Sequence, residues 1–199
     1  MFIKNPLTRG FIFIWYMKLH EQLRRIKKIM AINEQVKEFN EVADNVYNLI
    51  EEKYSDSRLI MTDNNIIEFK SVPIDEQKMA LKPRGLWYGI GPSWIDWVRS
   101  EMPDWEVDNV FKIDVDETKL LTIRTIEELD AFDEKYGSSI TSYFRNIDWG
   151  KVASEYGGIE IAPYIYKGRF KYIWYYGWDV ASGCIWDDGV ITNIEKLND

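Results

Sequence analysis

Glu160 is the acidic side chain best placed for chemistry in this sequence. It lies in the segment Gly157–Ile161, where it alternates with Ile159 and Ile161. Because successive side chains of a strand point to opposite faces, the carboxylate points away from the face that the isoleucines occupy. On an open face it is merely solvated. Under a cleft it could hydrogen-bond a sugar hydroxyl, and the preceding glycines would let the ligand approach the backbone closely.

Two cations precede a strand that is rich in aromatic side chains. Lys82 and Arg84 lead directly into Trp87 and Tyr88. The guanidinium of Arg84 is a planar fork suited to phosphate, and either ring offers a stacking face. The alternative for each cation is a solvated surface position.

A third feature is the aromatic segment over residues 164–186, in which Trp174, Trp178 and Trp186 fall within thirteen residues. Indole rings bury a large area, but each N–H group needs a hydrogen-bond partner. The segment therefore forms either a packed sheet edge or one wall of a groove, and the sequence alone does not separate the two.

Several common chemistries are disfavoured. The sequence has no Gly-rich phosphate loop that ends in Gly-Lys-Ser/Thr and no GxGxxG. Its single histidine, His20, lies near the N-terminus, so a Ser-His-Asp or Cys-His hydrolase lacks a base in the main domain. One histidine and one cysteine, Cys184, leave no zinc ligand set and no internal disulfide, so we predict no metal site and a reducing, cytoplasmic location.

Composition and charge indicate one folded domain. The chain has 199 residues, 46% of them hydrophobic, enough for one sizeable core. Residues 1–30 carry seven Lys or Arg and one Glu, which leaves a net charge of −14 on the remainder. Such an acidic domain repels polyanions, so no affinity for duplex DNA is expected. The apolar run 11–17 is too short to span a bilayer.

Short strands interspersed with helices, without regular βαβ alternation, predict an α+β fold with small, mainly antiparallel sheets and flanking helices. We expect a basic and apolar extension over residues 1–29 and a single domain over residues 30–199. The predicted elements are a helix over 32–53, a hairpin of 58–62 with 65–69, a strand over 85–89, a helix over 93–101 capped by Ser93, strands over 109–115 and 120–125, a helix over 126–136 capped by Thr125 and Glu128, a helix over 148–156, and strands over 158–161 and 182–186.

The order of these parts resembles that of the ADP-ribosyltransferases. In that family an early Arg or His, a Ser/Thr or Tyr, and a late Glu hold NAD in a cleft between small sheets, which here would imply a split sheet. Four segments also resemble a family of phage and bacterial proteins: Lys82–Tyr88, Ile147–Trp149, Gly158–Ile161 and Trp178–Trp186. The resemblance implies an enzyme for which NAD is a substrate, acting as a toxin or in phage–host conflict in the cytoplasm of a bacterium or an infected cell.

The resemblance also implies roles for individual residues. Glu160 would hold the ribose and steady the cationic centre, and Tyr88 would stack on nicotinamide. Arg84 would contact the NAD phosphate or ribose, with further cofactor contacts from Lys82, Trp87 and Trp178. The candidates for the central Ser/Thr position are Thr122, Thr125, Ser139 and Thr141.

Gly158 stands where an arginine-modifying enzyme would have a second acid, so the acceptor stays open between a protein side chain and a nucleic acid such as RNA. The resemblance to toxins also implies an antitoxin or inhibitor as a partner. Two other classes remain open: a non-enzymatic module whose aromatic groove binds a peptide, a nucleotide or single-stranded nucleic acid, and an acidic inhibitor that engages a basic partner. The enzyme hypothesis alone predicts that Glu160, Arg84 and Tyr88 converge on one cleft.

Overall fold

The computed structural model describes residues 47–102, 105, 109–139 and 145–198, together with some helical positions between residues 25 and 44. The chain divides into two compact units, Met1–Val46 and Tyr47–Asp199, a boundary farther along the chain than the predicted one at residue 30. Every described position of the first unit is helical. The second unit begins with helical residues 47–53, here α1, so each described position of the helix predicted over 32–53 is helical.

The remaining elements of the second unit follow in chain order. The described strands are β1 (Arg58–Thr62), β2 (Met79–Ala80), β3 (Leu86–Ile90), β4 (Asn109–Val115), β5 (Leu120–Ile123), β6 (Gly137–Ser139), β7 (Arg145–Asp148), β8 (Gly158–Ile161), β9 (Ser182–Ile185) and β10 (Ile191–Lys196). The helices are α2 (Ser93–Glu101), α3 (Ile126–Tyr136), α4 (Trp149–Ala153) and α5 (Tyr166–Lys171).

Two sheets form from these strands. The larger has the order β10-β4-β1-β3-β9-β8-β5, and its neighbours are antiparallel except for the parallel pair β5 and β8. The smaller is antiparallel with the order β2-β7-β6. The predicted α+β class with mainly antiparallel sheets is therefore confirmed.

Because successive side chains of a strand point to opposite faces, apolar side chains form a core on each face of the large sheet. On one face Ile159, Ile161 and Cys184 pack with the aromatic side chains of the helices, Phe132 and Trp149 among them. The second core contains Ile60, Tyr88, Phe111, Ile113, Ile185 and Val190. Glu160 alternates with the two isoleucines, so its side chain lies on the face of the second core.

The predicted hairpin is wrong. Residues 65–69 form no strand, and β1 pairs instead with β3 on one side and β4 on the other. Because both edges of β1 are already hydrogen-bonded, the chain after Asp63 cannot fold back onto it. Ile67 and Phe69 pack against the second core outside any strand.

Helix starts show one confirmed and one wrong cap. At α3 the Glu128 backbone N–H donates to Thr125 Oγ1, and Glu128 Oε2 accepts from the Thr125 N–H, each at 3.2 Å. This reciprocal capping was predicted. At α2, Ser93 is the first helical residue rather than the cap, and its Oγ donates to the Ala181 carbonyl at 3.0 Å. Ser93 thus fastens α2 to the segment before β9.

Cys184 is the single cysteine of the chain, and it is fully buried on β9. Burial raises the pKa of its thiol well above the ordinary value, so the reactive thiolate is disfavoured. We expect the native protein at pH 8 to react with a thiol-specific disulfide reagent about a thousandfold more slowly than the denatured chain, the factor for an opening free energy of about 4 kcal/mol. Fast labelling without denaturant would contradict this placement.

Candidate functional site

The centre of the large sheet holds an ion pair between two residues that are far apart in sequence. Arg58 Nε donates to Glu160 Oε2 at 2.6 Å, and Arg58 Nη2 donates to Oε1 at 3.3 Å. Both carboxylate oxygens are therefore engaged by one guanidinium fork. The Glu160 side chain is only 6% exposed and that of Arg58 is 17% exposed. The pair is largely withdrawn from water.

Tyr88 completes this group, and a glycine makes room for it. In the strand register, Glu160 on β8 pairs with Gly183 on β9, and Gly183 pairs with Tyr88 on β3. A Cβ atom at position 183 would lie 2.3 Å from Tyr88 Cζ. Because Gly183 has no side chain, the Tyr88 ring can extend over it, and the hydroxyl donates to Glu160 Oε2 at 2.9 Å. We call Arg58, Tyr88 and Glu160 the carboxylate cluster.

Burial and charge fix the protonation states of the donors. Burial and the neighbouring negative charge of Glu160 raise the pKa of Tyr88 well above its ordinary value, so the phenol keeps its proton. Burial works against a charged Arg58, but the hydrogen bond and the charge of Glu160 outweigh it and raise its pKa. The cluster thus presents a fixed carboxylate, which can hold a hydroxyl or stabilise a developing positive charge.

Arg58 also marks the outer side of the cluster. Its Nη2 donates to Glu117 Oε1 at 3.0 Å, and the Glu117 side chain is 67% exposed. Because Glu117 is so exposed, this second ion pair contributes little to stability. The guanidinium, itself 17% exposed, thus has a solvent-exposed partner on this side.

Arg84, the cation predicted beside Glu160, lies elsewhere. Its side chain is exposed and forms an ion pair with Glu76 at 2.6 Å, whereas its backbone N–H and carbonyl bond the Gln77 side chain. The predicted convergence of Arg84 with Glu160 and Tyr88 is corrected: Arg58 is the cation there. The sequence does contain a pattern that indicates Arg58. Arg58 lies two residues before Ile60 on an apolar strand, so the two side chains share the buried face of that strand.

The candidates for the central Ser/Thr position separate clearly. Thr122 on β5 pairs in register with Glu160 on β8, which places it beside the carboxylate on the same face. Thr125 is engaged in the cap of α3. Ser139 ends β6 in the small sheet and is exposed. Thr141 lies outside the described residues.

Lys82, Trp87 and Trp178 line a cavity of about 290 Å³, which also includes Trp94 and Leu59 in its walls. We call this cavity the tryptophan pocket. The Trp87 and Trp178 rings meet edge to face with centroids 4.9 Å apart, and Lys82 Nζ lies 5.2 Å from the Trp87 ring centroid.

The tryptophan pocket and the carboxylate cluster occupy opposite faces of the large sheet. Trp87 and Tyr88 are neighbours on β3, so their side chains point in opposite directions. Leu59 of the pocket and Arg58 of the cluster are related in the same way on β1. The six predicted site residues thus divide into Tyr88 and Glu160 in the cluster, the three pocket residues, and Arg84 in neither, although Tyr88 also contributes to the lining of the pocket.

The aromatic segment 164–186 is mostly core. Trp174, Tyr175 and Trp186 are at most 2% exposed and belong to the first core. Tyr166, Phe170, Ile173 and Tyr176 are exposed. Trp178 is buried and also lines the tryptophan pocket. The sequence left open whether this segment is a packed sheet edge or one wall of a groove, and the answer differs from residue to residue.

Within the described part of the chain, no three His, Cys, Asp or Glu side chains are grouped closely enough to hold a metal ion. Over the same residues no helix has the length and apolar character needed to cross a membrane. Comparison of the chain with family models, with curated proteins and with solved structures gives no match.

Proposed function

We propose that this chain is an NAD-dependent ADP-ribosyltransferase that modifies a macromolecular target, with Glu160 as its catalytic carboxylate. One observation supports the proposal above all others. An early arginine, a tyrosine and a late glutamate meet on one face of the sheet, with contacts of 2.6 Å from Arg58 and 2.9 Å from Tyr88 to the same Glu160 oxygen. These residue types occur in the order of the NAD-holding residues in the enzymes that the sequence resembles.

In this reaction the protein mainly has to orient the NAD and stabilise the charge that develops in the transition state. The bond between ribose C1′ and the nicotinamide nitrogen breaks, and nicotinamide leaves as a neutral molecule with the electron pair. The positive charge then develops on the ribose as an oxocarbenium-like centre, and a nucleophile of the acceptor attacks C1′ and loses its proton to solvent. A fixed carboxylate stabilises that charge in the transition state. Glu160 supplies it.

The hydrogen bonds of Glu160 suggest how a ribose would bind. Among the described residues, Oε2 accepts the two short bonds from Arg58 and Tyr88, whereas Oε1 accepts only the 3.3 Å bond from Arg58 Nη2. Oε1 is therefore the oxygen with capacity for a ribose hydroxyl. The pyrophosphate would compete with exposed Glu117 for the Arg58 guanidinium, because phosphate matches the fork at least as well as a carboxylate does.

Tyr88 takes a different role in this proposal from the stacking that the resemblance implies. Its ring is 3% exposed and extends over Gly183, so it has almost no free face for nicotinamide. Its hydroxyl holds Glu160 instead, which makes Tyr88 a positioning residue. The acceptor is a protein side chain or RNA, and a role in toxin action or phage–host conflict, with an antitoxin as partner, belongs to the same proposal.

The test is nicotinamide release from NAD, followed together with transfer of an adenylate label to lysate components. We expect Glu160→Gln to lower the rate by about 100-fold or more, the size of effect seen when one group that stabilises transition-state charge is removed. Glu117→Gln is the matched control, because Glu117 contacts the same guanidinium but is exposed, and it should retain activity within about threefold.

Thermal unfolding of each variant must show a folded protein at the assay temperature. An unchanged rate in folded Glu160→Gln, or no release of nicotinamide by the natural chain with any lysate, would refute the proposal.

A second candidate, a non-enzymatic binding module with an aromatic groove, is favoured by the tryptophan pocket. That pocket needs no contribution from Glu160, since it lies on the other face of the sheet. Ligand binding in the pocket by a chain that releases no nicotinamide would favour this candidate.

A further inference from the structure

We infer that the tryptophan pocket is a ligand site in its own right, separate from the carboxylate cluster, and that it takes a planar aromatic molecule that carries an anionic group. The inference goes beyond the proposed transferase function, because it concerns the opposite face of the sheet and does not involve Glu160. Shape, an unsatisfied donor and charge each support it.

The walls of the pocket suit a flat ring. Trp87 and Trp178 meet edge to face, and Trp94 stacks on Trp97 with centroids 5.1 Å apart and an interplanar angle of 23°. Stacked and edge-to-face partners hold indole rings in place, so the walls are rigid. Leu59 adds apolar surface. A volume of about 290 Å³ lies just below the usual range of small-molecule sites, roughly 300–1,000 Å³, and therefore suits a compact ligand.

The pocket wall also contains a hydrogen-bond donor without a protein partner. Trp178 is 1% exposed, and its Nε1 has no hydrogen-bond partner among the residues that the structure describes. The other buried indoles differ in this respect: Trp149 donates to the Ala80 carbonyl, Trp174 to Asp133, and Trp186 to the Tyr156 carbonyl. A buried N–H group without an acceptor is costly, so a ligand acceptor that reached Nε1, which is itself buried, would be favourable there.

Lys82 brings a positive charge to the pocket. Lys82 is exposed, and it forms no ion pair with any residue in the described ranges of the chain. Its stem passes Gly177, where a Cβ atom would lie 3.1 Å from Lys82 Cε. The acid in the pocket wall, Asp179, is engaged by Arg169 Nη2 at 3.6 Å. Lys82 is therefore available for the anionic group of a ligand whose ring lies among the tryptophans.

The ligand could be a nucleotide or an aromatic carboxylate, and matched pairs of probe molecules distinguish the two. Titration calorimetry of the full chain would use AMP against adenosine and indole-3-acetate against indole-3-ethanol. We expect the anionic member of one pair to bind about tenfold more tightly than its neutral counterpart, equivalent to about 1.4 kcal/mol. Preference for AMP identifies a nucleotide, and preference for indole-3-acetate identifies an aromatic carboxylate.

Three variants connect the binding to the residues. Lys82→Gln should abolish the preference for the anion, whereas Lys167→Gln, which changes an exposed lysine outside the pocket, should preserve it. Trp178→Phe should weaken binding about tenfold by removing the Nε1 donor. Because Trp178 is buried, the binding result for Trp178→Phe is interpreted only if that variant unfolds cooperatively. Lys82→Gln changes an exposed side chain and tests the role of the charge independently.

Glu160→Gln separates this inference from the proposed function. It should leave probe binding unchanged even if it abolishes nicotinamide release. Loss of probe binding in folded Glu160→Gln would overturn the inference of a separate site. Equal binding of anionic and neutral probes, or no binding by the natural chain at millimolar concentrations, would also overturn it.

Discussion

Glu160→Ala is expected to lower the free energy of unfolding by about 3 kcal/mol, the lower end of the cost of breaking a buried ion pair by removing one partner. Among the described residues, the substitution leaves the Arg58 guanidinium with Glu117 as its remaining carboxylate contact and leaves the Tyr88 hydroxyl without its acceptor. We use the lower end because the Arg58 side chain is 17% exposed, so water partly compensates the lost charge. Denaturant unfolding followed by circular dichroism measures the change.

Two further variants establish the cause of this loss. Replacing both partners, as in Arg58→Met with Glu160→Leu, should recover most of the stability, because no uncompensated charge is then buried. Glu117→Ala should cost less than about 1 kcal/mol, since that ion pair is largely exposed. A double variant as unstable as Glu160→Ala would show that the loss comes from packing rather than from charge.

These stabilities bear directly on the proposed function. A carboxylate that both supports the fold and carries out chemistry can lose activity for either reason. Glu160→Gln keeps the size of the side chain and one acceptor for the Tyr88 hydroxyl, so it should be more stable than Glu160→Ala. A large loss of activity in the more stable variant would therefore be a chemical effect.

The elements that were predicted correctly are marked by short patterns within their own sequence. The capping pair of Thr125 and Glu128 marks the start of α3, and alternation of apolar residues marks β4. β10 was missed because its alternation is weak: Ile191 and Ile194 are separated by two polar residues, and its half-buried position depends on pairing with β4. A strand of that kind is defined by its neighbour more than by its own sequence.

The site was only partly predictable because strand register is not local. Glu160 and Arg58 are 102 residues apart, and they meet because β9, β3 and β1 follow β8 in the sheet. No local pattern specifies that order, whereas Arg84 has a guanidinium suited to phosphate and lies close to Tyr88 in sequence. Strand geometry alone excludes one part of the predicted site. Trp87 and Tyr88 are adjacent on a strand, so their side chains could not line a single cleft on one face.

Trp174→Ala tests the assignment of the aromatic segment to the core, and we expect it to lower the free energy of unfolding by about 4 kcal/mol. Trp174 is fully buried, and its ring centroid lies 5.3 Å from that of Phe132 and 6.3 Å from that of Trp149. Its Nε1 donates to Asp133 at 2.9 Å, so Trp174→Phe, which keeps a ring but loses the donor, should cost an intermediate amount.

Tyr176 is the matched control, because it lies two residues away but is 55% exposed. Tyr176→Ala should change the stability by no more than about 1 kcal/mol, because the ring loses an exposed cation–π contact with Arg169. The contrast between the two positions separates a core from a groove. A groove would tolerate loss of Trp174 at little cost in stability, whereas a core cannot, because the surrounding rings are held by each other and do not collapse fully into the space. A cost below about 1 kcal/mol for Trp174→Ala would therefore return this part of the segment to the groove interpretation.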